Sequence, residues 1–472
     1  DTIVAISTSL GVGAISIVRL SGQESISIVN KCFKGKDLSK VATHTINYGH
    51  IYDDKDLIDE VLVSVMKAPK SYTSEDIVEI NCHGGIIATK RILQTMLNNG
   101  ARLAEPGEFT KRAFLNGRID LVKSEAVMDL INSKSDEARK IALTQMSGKT
   151  SNLIINFKNK LKQLLSSIEV NIDYPEYYDI EVITVDKIKT ETEKMKKELE
   201  NLIKESENTV TIKNGINTVI VGRPNVGKSS ILNKLLKEGI DVAIIGKPNV
   251  GKSSLLNKLL EEEKAIVTDI EGTTRDIVEG QIYLDGIPLN IIDTAGIRKT
   301  DDIVEKIGVE KSLAMIDKSD LVIVVLNRNE KLTPEDLDIL TATEAKTRII
   351  ALNKNDLERH INLPLNLENV IETNTNDVDG INSLKNKIKQ LFNLEQLTMK
   401  DYTYLSNSRQ ISLAKKAYKN LLDAEEGIKN NQPIDMIEID LKDCFENLGE
   451  IIGINYSEEI IDNLFENFCV GK

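Results

Sequence analysis

Two nearly identical phosphate-binding motifs lie 24 residues apart in the middle of the chain. The first, Gly222–Ser229, reads GRPNVGKS, and the second, Gly246–Ser253, reads GKPNVGKS. Each matches G-x-x-x-x-G-K-[ST], follows a short apolar run and opens an amphipathic segment, and in that context the pattern indicates nucleotide binding. Backbone N–H groups of such a loop surround phosphate oxygens, the lysine adds a positive charge, and the serine hydroxyl can hold Mg²⁺.

The duplication extends beyond the motif itself. Residues 213–236 and 237–260 align without a gap, and 17 of the 24 positions are identical. Two complete domains in tandem are excluded, because a domain needs roughly 100–200 residues and the first copy has only 24. The sequence therefore predicts one nucleotide domain in which a strand–loop–helix unit is doubled.

The remaining nucleotide motifs follow the second copy at the shorter distance. Thr273 and Thr274 lie about 20 residues past Lys252, and Asp293 lies 41 residues past Lys252 but 65 past Lys228. We therefore expect Lys252 to be the working lysine and the first copy to be an inert insertion on the surface or at a domain boundary. An inactive duplication product that keeps only the structure is the alternative.

Two further motifs indicate the nucleotide. Asp293–Gly296 (DTAG) follows the apolar stretch Leu289–Ile292, where a carboxylate can hold the magnesium water and a glycine N–H can sense the γ-phosphate. Asn353–Asp356 (NKND) follows the apolar stretch Ile349–Leu352. An aspartate there can accept hydrogen bonds from the N1–H and N2–H₂ groups of guanine, which adenine does not offer. The three motifs in this order predict a GTPase and not an ATPase.

Two residues are candidates for the hydrolytic step. Many GTPases orient the attacking water with a glutamine after the D-x-x-G glycine, but Ile297 occupies that position here. Glu305 is the best replacement, and an exposed helix glutamate is its alternative reading. The side-chain carbonyl of Asn249 can help to coordinate a monovalent cation, whose charge would replace that of an arginine finger. Alternatively, Asn249 only shapes the loop.

The elements that must position these motifs alternate between strand and helix over residues 213–394. That alternation predicts a mostly parallel, doubly wound sheet with helices on both faces. Residues 119–212 and 395–472 have helical patterns, and residues 1–118 mix strands and helices. We predict a multidomain α/β and α protein: an α+β N-terminal domain, then a helical domain into which the GTPase domain is inserted. Separate domains in series are the alternative.

Composition places bounds on partners and compartment. The chain has 472 residues, of which 41% are hydrophobic and 28% charged, as in soluble globular proteins. Its net charge of −13 means that RNA would have to meet a local basic patch. With 4% aromatics, broad base-stacking platforms are excluded. No Cys-x-x-Cys pair and no apolar stretch near 18 residues occurs, so we expect a cytoplasmic protein with no zinc site, disulfide framework or membrane span. The cysteines are Cys32, Cys82, Cys444 and Cys469.

The chain resembles the MnmE (TrmE) family of tRNA-modification GTPases over nearly its whole length. The most specific stretch is Glu105–Asn116 (EPGEFTKRAFLN), and Tyr72–Glu79 (YTSEDIVE) resembles the folate-domain signature of the family. Gly272–Asp276 (GTTRD) matches a switch region. The chain ends with Phe468–Lys472 (FCVGK), close to the terminal Cys-x-Gly-Lys of the family.

The resemblance implies a potassium-stimulated GTPase that forms a homodimer through its N-terminal domains. With an FAD-containing partner of the MnmG (GidA) type, it implies construction of the carboxymethylaminomethyl group on the tRNA wobble uridine, with a tetrahydrofolate derivative as carbon source. The implied K⁺ ligands are Asn249, Thr268, Ile270 and Thr273; the Mg²⁺ ligands are Ser253 and Thr274; the catalytic residues are Glu305 and Lys252; and the folate contacts are Arg19, Glu79, Arg118 and Lys472. The residues assigned to the nucleotide and its ions are Asn249, Val250, Gly251, Lys252, Ser253, Ser254, Thr268, Asp269, Ile270, Glu271, Gly272, Thr273, Thr274, Asp293, Thr294, Ala295, Gly296, Asn353, Lys354 and Asp356.

The sequence departs from the family at several positions. Ser9–Gly13 (SLGVG) replaces the usual PPGRG, and Arg118 stands where lysine is usual. The base-contacting loop reads Thr373-Asn-Thr375 instead of Ser-Ala-Lys. The role of Cys469, a candidate thiol nucleophile or a plain tail cysteine, stays open. An alternative function is a ribosome-assembly GTPase that acts as an RNA-binding switch, which predicts neither a folate pocket nor a Cys-x-Gly-Lys tail.

Overall fold

The computed structural model describes residues 1–173, 185–222, 226, 231, 280–284, 287–293, 316–364, 367–373, 378–392, 402–454, 458–466 and 468–471. The chain separates into two units. The first unit comprises residues 1–132, 142–201 and 409–472, and the second unit comprises residues 133–141 and 202–408.

Strands and helices are numbered in chain order over the described residues. The strands are β1 (Ile3–Ile6), β2 (Ile15–Ser21), β3 (Phe33–Lys34), β4 (Thr45–Asp53), β5 (Asp56–Met66), β6 (Ile77–His83), β7 (Arg102–Leu103), β8 (Ile216–Val221), β9 (Gly280–Leu284), β10 (Ile287–Asp293), β11 (Leu321–Asn327), β12 (Arg348–Asn353) and β13 (Val370–Glu372). The helices are α1 (Ser25–Cys32), α2 (Ile86–Asn98), α3 (Glu108–Leu115), α4 (Leu121–Ile131), α5 (Asp136–Met146), α6 (Lys149–Asp173), α7 (Val185–Asn214), α8 (Pro334–Ala342), α9 (Val378–Leu391), α10 (Ser408–Lys429), α11 (Ile434–Ile452) and α12 (Glu458–Phe465).

The sheet of the first unit has the strand order β3-β4-β5-β6-β2-β1-β7. Its described pairs are antiparallel, except that β1 and β7 run parallel. Successive residues of a strand point to opposite faces. Val4 therefore joins the apolar cluster that includes residues of α1 and α2, whereas Ile3 and Ala5 join Phe109 of α3 in a second cluster. The sheet is thus covered by helices on both faces.

The helices of the first unit pack against one another, with α6 lying along α11. A charged pair links two other helices: Arg409 on α10 places Nε 2.6 Å and Nη2 2.9 Å from the two carboxylate oxygens of Glu125 on α4. The amide Nε2 of Gln410 also donates to Glu125, over 2.6 Å. Such a two-pronged arginine–carboxylate contact fixes geometry as well as charge, so it sets how α4 and α10 meet.

The sheet of the second unit has the strand order β13-β12-β11-β8-β10-β9. Its described pairs are parallel, apart from β9 and β10. All seven residues of β11 are buried, as expected for a parallel strand covered on both faces. Separate apolar clusters lie on the two sides, with Ile323 in one and Val324 in the other. The mostly parallel, doubly wound sheet predicted from the sequence is confirmed.

The first copy of the duplicated segment supplies a central strand of this sheet. Strand β8 lies between β10 and β11, and its last four residues are buried. The expectation that the first copy is an inert insertion on the surface or at a boundary is therefore wrong for this strand. The second copy, residues 237–260, lies outside the described residues.

Candidate nucleotide-binding and N-terminal ligand sites

Three motifs of the second unit meet at one edge of its sheet. Strands β8, β10, β11 and β12 are parallel, so their carboxyl ends lie at the same edge. Gly222, the first residue of the first phosphate-binding motif, follows β8 directly. Asp293 ends β10 and is the register partner of Ile220, while Asn353 ends β12. Open α/β sheets bind their ligands at this edge.

The backbone at Gly222 requires a glycine. Its φ is +152°, and a Cβ atom at this position would clash with the backbone oxygen of Val325 on β11. Side chains larger than hydrogen are therefore excluded by both conformation and space. The start of the first motif is held close against the neighbouring strand.

A buried hydrogen bond joins the first phosphate-binding motif to the N-K-x-D motif. The amide Nδ2 of Asn353 donates to the backbone oxygen of Val226 over 2.9 Å. Both residues are only 2% exposed. The Oδ1 atom of Asn353 is also buried and has no hydrogen-bond partner among the residues described, so this acceptor is available to a bound group.

The N-K-x-D loop presents its aspartate to solvent. Lys354 has a left-handed φ of +66°, and the N–H of Leu357 donates back to the oxygen of Lys354 over 3.0 Å, which closes a turn. The N–H of Asn355 donates to the oxygen of Thr373 over 3.2 Å. Within the described part of the chain, the exposed carboxylate of Asp356 makes no hydrogen bond. Its two oxygens are free to accept from a base edge.

Sequence analysis did not single out Arg328, which supports this loop. Its Nη1 atom donates to the backbone oxygens of Asn355 and Leu357, over 3.1 and 2.8 Å. Its Nε atom lies 3.5 Å from a carboxylate oxygen of Glu372. The sequence feature that could have identified Arg328 is its position directly after the apolar run that forms strand β11. Arg328 therefore positions the loop that carries Asp356.

Much of the predicted nucleotide site lies outside the described residues. Those positions stay predictions. They are Asn249, Val250, Gly251, Lys252, Ser253, Ser254, Thr268, Asp269, Ile270, Glu271, Gly272, Thr273, Thr274, Thr294, Ala295, Gly296 and Glu305.

In the first unit, the structure brings Arg19 and Glu79 together. They are register partners on β2 and β6, and Nε of Arg19 lies 2.7 Å from Oε1 of Glu79. The Arg19 guanidinium carbon is 5.7 Å from the ring centroid of the buried Phe109. Both charged side chains remain 20% exposed. The pair therefore presents a partly exposed cation and carboxylate next to a buried aromatic ring.

The C-terminal tail returns to this pair. Val470 forms an antiparallel bridge with Pro106, and the oxygen of Gly471 accepts from the Ser7 hydroxyl over 3.1 Å. Nη1 of Arg19 reaches the same oxygen at 3.5 Å. The predicted contact Lys472, which follows Gly471, lies outside the described residues.

Arg118 lies beside a different aromatic ring. Its guanidinium carbon is 5.0 Å from the ring centroid of Tyr72, and Tyr72 packs on the cluster that contains Phe109. No hydrogen bond joins Arg118 to Arg19 or Glu79 within the described residues. Arg118 also lines a cavity of about 480 Å³ next to Asp120 and Lys123.

Hydrogen bonds connect the two N-terminal motif stretches. The Tyr72 hydroxyl lies 2.9 Å from that of Thr110, and Nη1 of Arg112 donates to Oε2 of Glu75 over 3.1 Å. Sequence analysis missed the role of Glu108, which is buried and accepts from Nη2 of Arg112 over 3.0 Å. The two stretches thus form one polar network at the start of α3.

That network sets the protonation of Glu108. Burial on its own would raise the pKa of this carboxyl. Hydrogen bonds from Arg102, Arg112 and the backbone N–H of Glu105 outweigh burial and lower the pKa from its ordinary value of 4.5. Glu108 is therefore an ionised residue of the fold at neutral pH.

Two family models match the chain. The model described as "GTP-binding protein TrmE N-terminus" matches residues 2–118, and the model described as "MnmE helical domain" matches residues 121–469, well over half of the chain. The chain belongs to the MnmE family. Curated MnmE proteins are similar to this chain over its full length. The protein named "tRNA modification GTPase MnmE" of Streptococcus thermophilus is 50% identical over 473 residues, covering 100% of this chain and 98% of its own. That of Bacillus licheniformis is 49% identical over 489 residues and covers 100% of both chains.

A solved structure outside the MnmE family shows a weak likeness. The G domain of the FeoB iron transporter of T. maritima is 21% identical and covers 37% of this chain and 97% of its own, with a TM-score of 0.22. A likeness at this level carries no argument about fold or function. Among the described helices, none is both long enough and apolar enough to cross a membrane.

Proposed function

We propose that this chain hydrolyses GTP in the modification of the tRNA wobble uridine, where a 5-carboxymethylaminomethyl group is built. The observation that carries the proposal is the meeting of Gly222, Asp293 and Asn353 at the carboxyl edge of one parallel sheet, in a member of the MnmE family. Phosphoryl transfer depends on positioning and charge stabilisation. A sheet edge that gathers phosphate, magnesium and base motifs meets that need.

Guanine recognition is the role proposed for Asp356. Its exposed carboxylate can accept from both N1–H and N2–H₂ of guanine. Lys354 precedes it in the same loop, and Thr373, which follows β13, accepts from the N–H of Asn355 in that loop. Arg328 holds the loop in place by donating hydrogen bonds to two of its backbone carbonyls. The proposed specificity follows from geometry, because adenine offers no pair of donors on that edge.

The proposed ions are Mg²⁺ and K⁺. Mg²⁺ prefers oxygen ligands, and the proposed ligands, the hydroxyls of Ser253 and Thr274, are of that kind. The carboxylate of Asp293 is proposed to hold a water of the magnesium ion. For K⁺ we propose the side-chain oxygen of Asn249 with oxygens of Thr268, Ile270 and Thr273. The bound cation would supply the positive charge that an arginine finger supplies elsewhere. Glu305 is proposed to orient the attacking water.

A cation exchange tests the ion proposal. GTP turnover by the full chain is measured in K⁺ and in Na⁺ at constant ionic strength and saturating Mg²⁺. We expect a strong rise in kcat in K⁺ and little change in GTP affinity. Equal rates in both salts, with GTP binding intact, would count against it. Glu305→Gln should lower kcat in K⁺ without weakening GTP binding, whereas Glu335→Gln, on the exposed start of α8, is the matched control.

The proposed partners are a second copy of the chain, an FAD-containing protein of the MnmG type and tRNA, all in the cytoplasm. The support is the family membership established by the full-length relatives. Sedimentation of the purified chain alone and with the flavoprotein tests both associations. A chain that is monomeric at micromolar concentration and does not bind the flavoprotein would contradict this part of the proposal.

A tetrahydrofolate derivative is the proposed ligand of the first unit. Because Arg19 and Glu79 are ion-paired over 2.7 Å, both would meet the same end of the ligand. Glu79 can accept from its amino-pyrimidine edge, and Arg19 can donate to the neighbouring pterin oxygen. Arg118 and Lys472 are the further proposed contacts. Calorimetry with 5-formyl-tetrahydrofolate on the full chain tests this. Arg19→Ala should abolish binding, while Arg91→Ala, which removes an exposed arginine paired with Asp56, should not. Unchanged binding by Arg19→Ala would reject the site.

A further inference from the structure

We propose that Arg328 determines the preference of this chain for guanine over bases that lack the 2-amino group. It acts as a positioning residue, through the N-K-x-D loop that carries Asp356. The inference rests on the proposed GTPase function and adds to it a residue that lies outside the nucleotide-binding motifs. The residues that carry it all belong to the second unit.

The backbone of Arg328 is bonded to both ends of this loop. Its N–H donates to the oxygen of Asn353 over 3.0 Å, and its oxygen accepts from the N–H groups of His360 and Ile361 over 3.0 and 3.2 Å. Asn353 begins the N-K-x-D motif, and the other two residues follow the motif. One residue therefore holds the chain where it enters the loop and where it leaves it.

The side chain of Arg328 holds the middle of the same loop. Its Nη1 atom donates to the oxygens of Asn355 and Leu357, over 3.1 and 2.8 Å. These are the residues directly before and after Asp356. Hydrogen bonds from a charged donor are stronger than those between neutral groups. The backbone on both sides of Asp356 is therefore fixed by one guanidinium group.

Peptide planarity extends this control to Asp356 itself. The carbonyl of Asn355 and the N–H of Asp356 belong to one planar peptide group, so the hydrogen bond that fixes the carbonyl also fixes the N–H. Within the described part of the chain, the carboxylate of Asp356 makes no hydrogen bond of its own. Its position is therefore set by the backbone that Arg328 holds.

Strands on both sides of β12 contribute to this arrangement. The loop follows β12, which lies between β11 and β13 in the sheet. Arg328 follows β11, and Thr373, which follows β13, accepts from the N–H of Asn355 over 3.2 Å. The loop is thus bonded to residues beyond the ends of both neighbouring strands.

Glu372 balances the charge of Arg328. It is the last residue of β13, and its Oε1 atom lies 3.5 Å from Nε of Arg328. This is an ion-pair contact and not a hydrogen bond, since the buried Nε atom has no hydrogen-bond partner among the residues described. The carboxylate attracts the guanidinium, which favours the side-chain position in which Nη1 reaches the loop carbonyls.

Arg359 offers a comparison within the same loop. Its Nη1 atom lies 3.9 Å from the same oxygen of Glu372, but its side chain is 50% exposed, whereas that of Arg328 is 19% exposed. In the described part of the chain, Arg359 makes no hydrogen bond to a loop carbonyl. Exposed ion pairs contribute little stability. We therefore expect the loss of Arg328, and not that of Arg359, to loosen the loop.

A loosened loop should affect the recognition of the 2-amino group most. Asp356 is proposed to accept from both N1–H and N2–H₂ of guanine, and two hydrogen bonds to one carboxylate form together only when it is aligned with the base edge. Hypoxanthine has N1–H but no 2-amino group, so it forms one of the two bonds. The preference for GDP over IDP therefore measures how well Asp356 is positioned.

Competition binding of GDP and IDP to the full chain tests the inference. The unsubstituted chain should bind GDP more tightly than IDP. Arg328→Ala should weaken GDP binding by about 10-fold and reduce the GDP-to-IDP preference by about threefold or more, because hydrogen bonds from a charged group hold the loop. Arg328→Lys keeps the charge but not the planar fork, and it should lie between the two. Arg359→Ala, the matched control, should change either value by less than about twofold.

The ratio of the two affinities does not depend on the folded fraction of a variant, so partial unfolding does not imitate the expected result. If Arg328→Ala binds too weakly to be measured, the ratio in Arg328→Lys decides. Turnover gives a second readout: Arg328→Ala should raise the KM for GTP and leave kcat within about twofold, as for a lost binding contact. An unchanged GDP-to-IDP preference, or an equal loss in Arg359→Ala, would overturn the inference. Failure of the unsubstituted chain to bind GDP would instead reject the proposed function.

Discussion

The side-chain amide of Asn353 donates a 2.9 Å hydrogen bond to the backbone oxygen of Val226, although 127 residues separate the two in the chain. Val226 belongs to a phosphate-binding motif and Asn353 to a base-recognition motif. The bond is buried at both ends. It therefore ties the strand that carries the N-K-x-D motif to the first copy of the duplicated segment.

Removing this bond should weaken nucleotide binding and stability together. Asn353→Ala deletes the donor and leaves the oxygen of Val226 buried without a partner, which costs about 1–3 kcal/mol. We expect a lower midpoint of thermal unfolding and GDP affinity reduced by roughly 10-fold, since about 1.4 kcal/mol equals a factor of 10. Fluorescent-GDP titration and calorimetry measure both. Unchanged GDP affinity in Asn353→Ala would show that the two motifs are not coupled.

Asp356→Asn should change the base that is preferred. The amide keeps one acceptor oxygen but presents NH₂ where the carboxylate had its second acceptor. GTP should therefore lose affinity by about 100-fold, because one hydrogen bond is lost and the other is no longer charge-assisted. Xanthosine triphosphate, which carries an acceptor on that edge, should gain affinity. Competition binding with both nucleotides checks this. Asp338→Asn, on the exposed side of α8, is the control and should leave the preference unchanged.

The buried valine of β8 should matter more than its counterpart in the second copy. Val219→Ala opens a cavity beside β11 and should lower the free energy of unfolding by about 2 kcal/mol. Ala243→Gly, the comparison in the second copy, should change it by less than about 1 kcal/mol, the helix or strand cost of glycine. Urea unfolding of the second unit, followed in the full chain, gives both values. A larger effect of Ala243→Gly would place the second copy in the sheet.

Acid should destabilise the first unit through Glu108. The fold lowers the pKa of Glu108 below its ordinary value of 4.5, because hydrogen bonds from Arg102 and Arg112 outweigh its burial. The carboxylate therefore stabilises the folded state above pH 4.5, and this contribution is lost as the pH falls through the lower folded pKa. Glu108→Gln should reduce stability at pH 7 and flatten its decline below pH 4.5. Urea unfolding from pH 7 to pH 3 measures it, and a parallel decline in both proteins would contradict the assignment.

Local patterns were sufficient for part of the fold. The mixture of strands and helices predicted for residues 1–118 is present, for example in the strand Ile3–Ile6 and the helix Ser25–Cys32. Strand β4 has a weak local signal, because Ile46 and Tyr48 are exposed and are followed by the polar Asn47 and by Gly49, respectively. The first residues of strand β6 lie in the motif Tyr72–Glu79, which the sequence analysis interpreted only as a motif. Both strands are defined by pairing with β5, a neighbour that local composition does not specify.

The residues of the candidate sites could likewise be predicted only in part. The motifs identified the nucleotide, and Arg19 and Glu79 were named from sequence and are ion-paired in the structure. Arg328 was not named, because its role depends on carbonyl groups of a loop that follows another strand. Every residue carries a backbone carbonyl, so the sequence does not indicate which carbonyl accepts a hydrogen bond. Such supporting contacts are therefore recognised only in the three-dimensional structure.

The sequence by itself determined the family, the order of the motifs and the parallel sheet, because glycines, lysines and apolar runs at fixed spacing reflect local requirements. It did not determine which of two nearly identical strands lies between β10 and β11. The copies share nearly the same local preferences. Among the positions at which they differ are two where the strand meets distant neighbours: Asn217, whose N–H donates to Asp320, and Val219 in the core. The tertiary structure made that choice, because pairing, charge and packing with residues far along the chain distinguish one copy from the other.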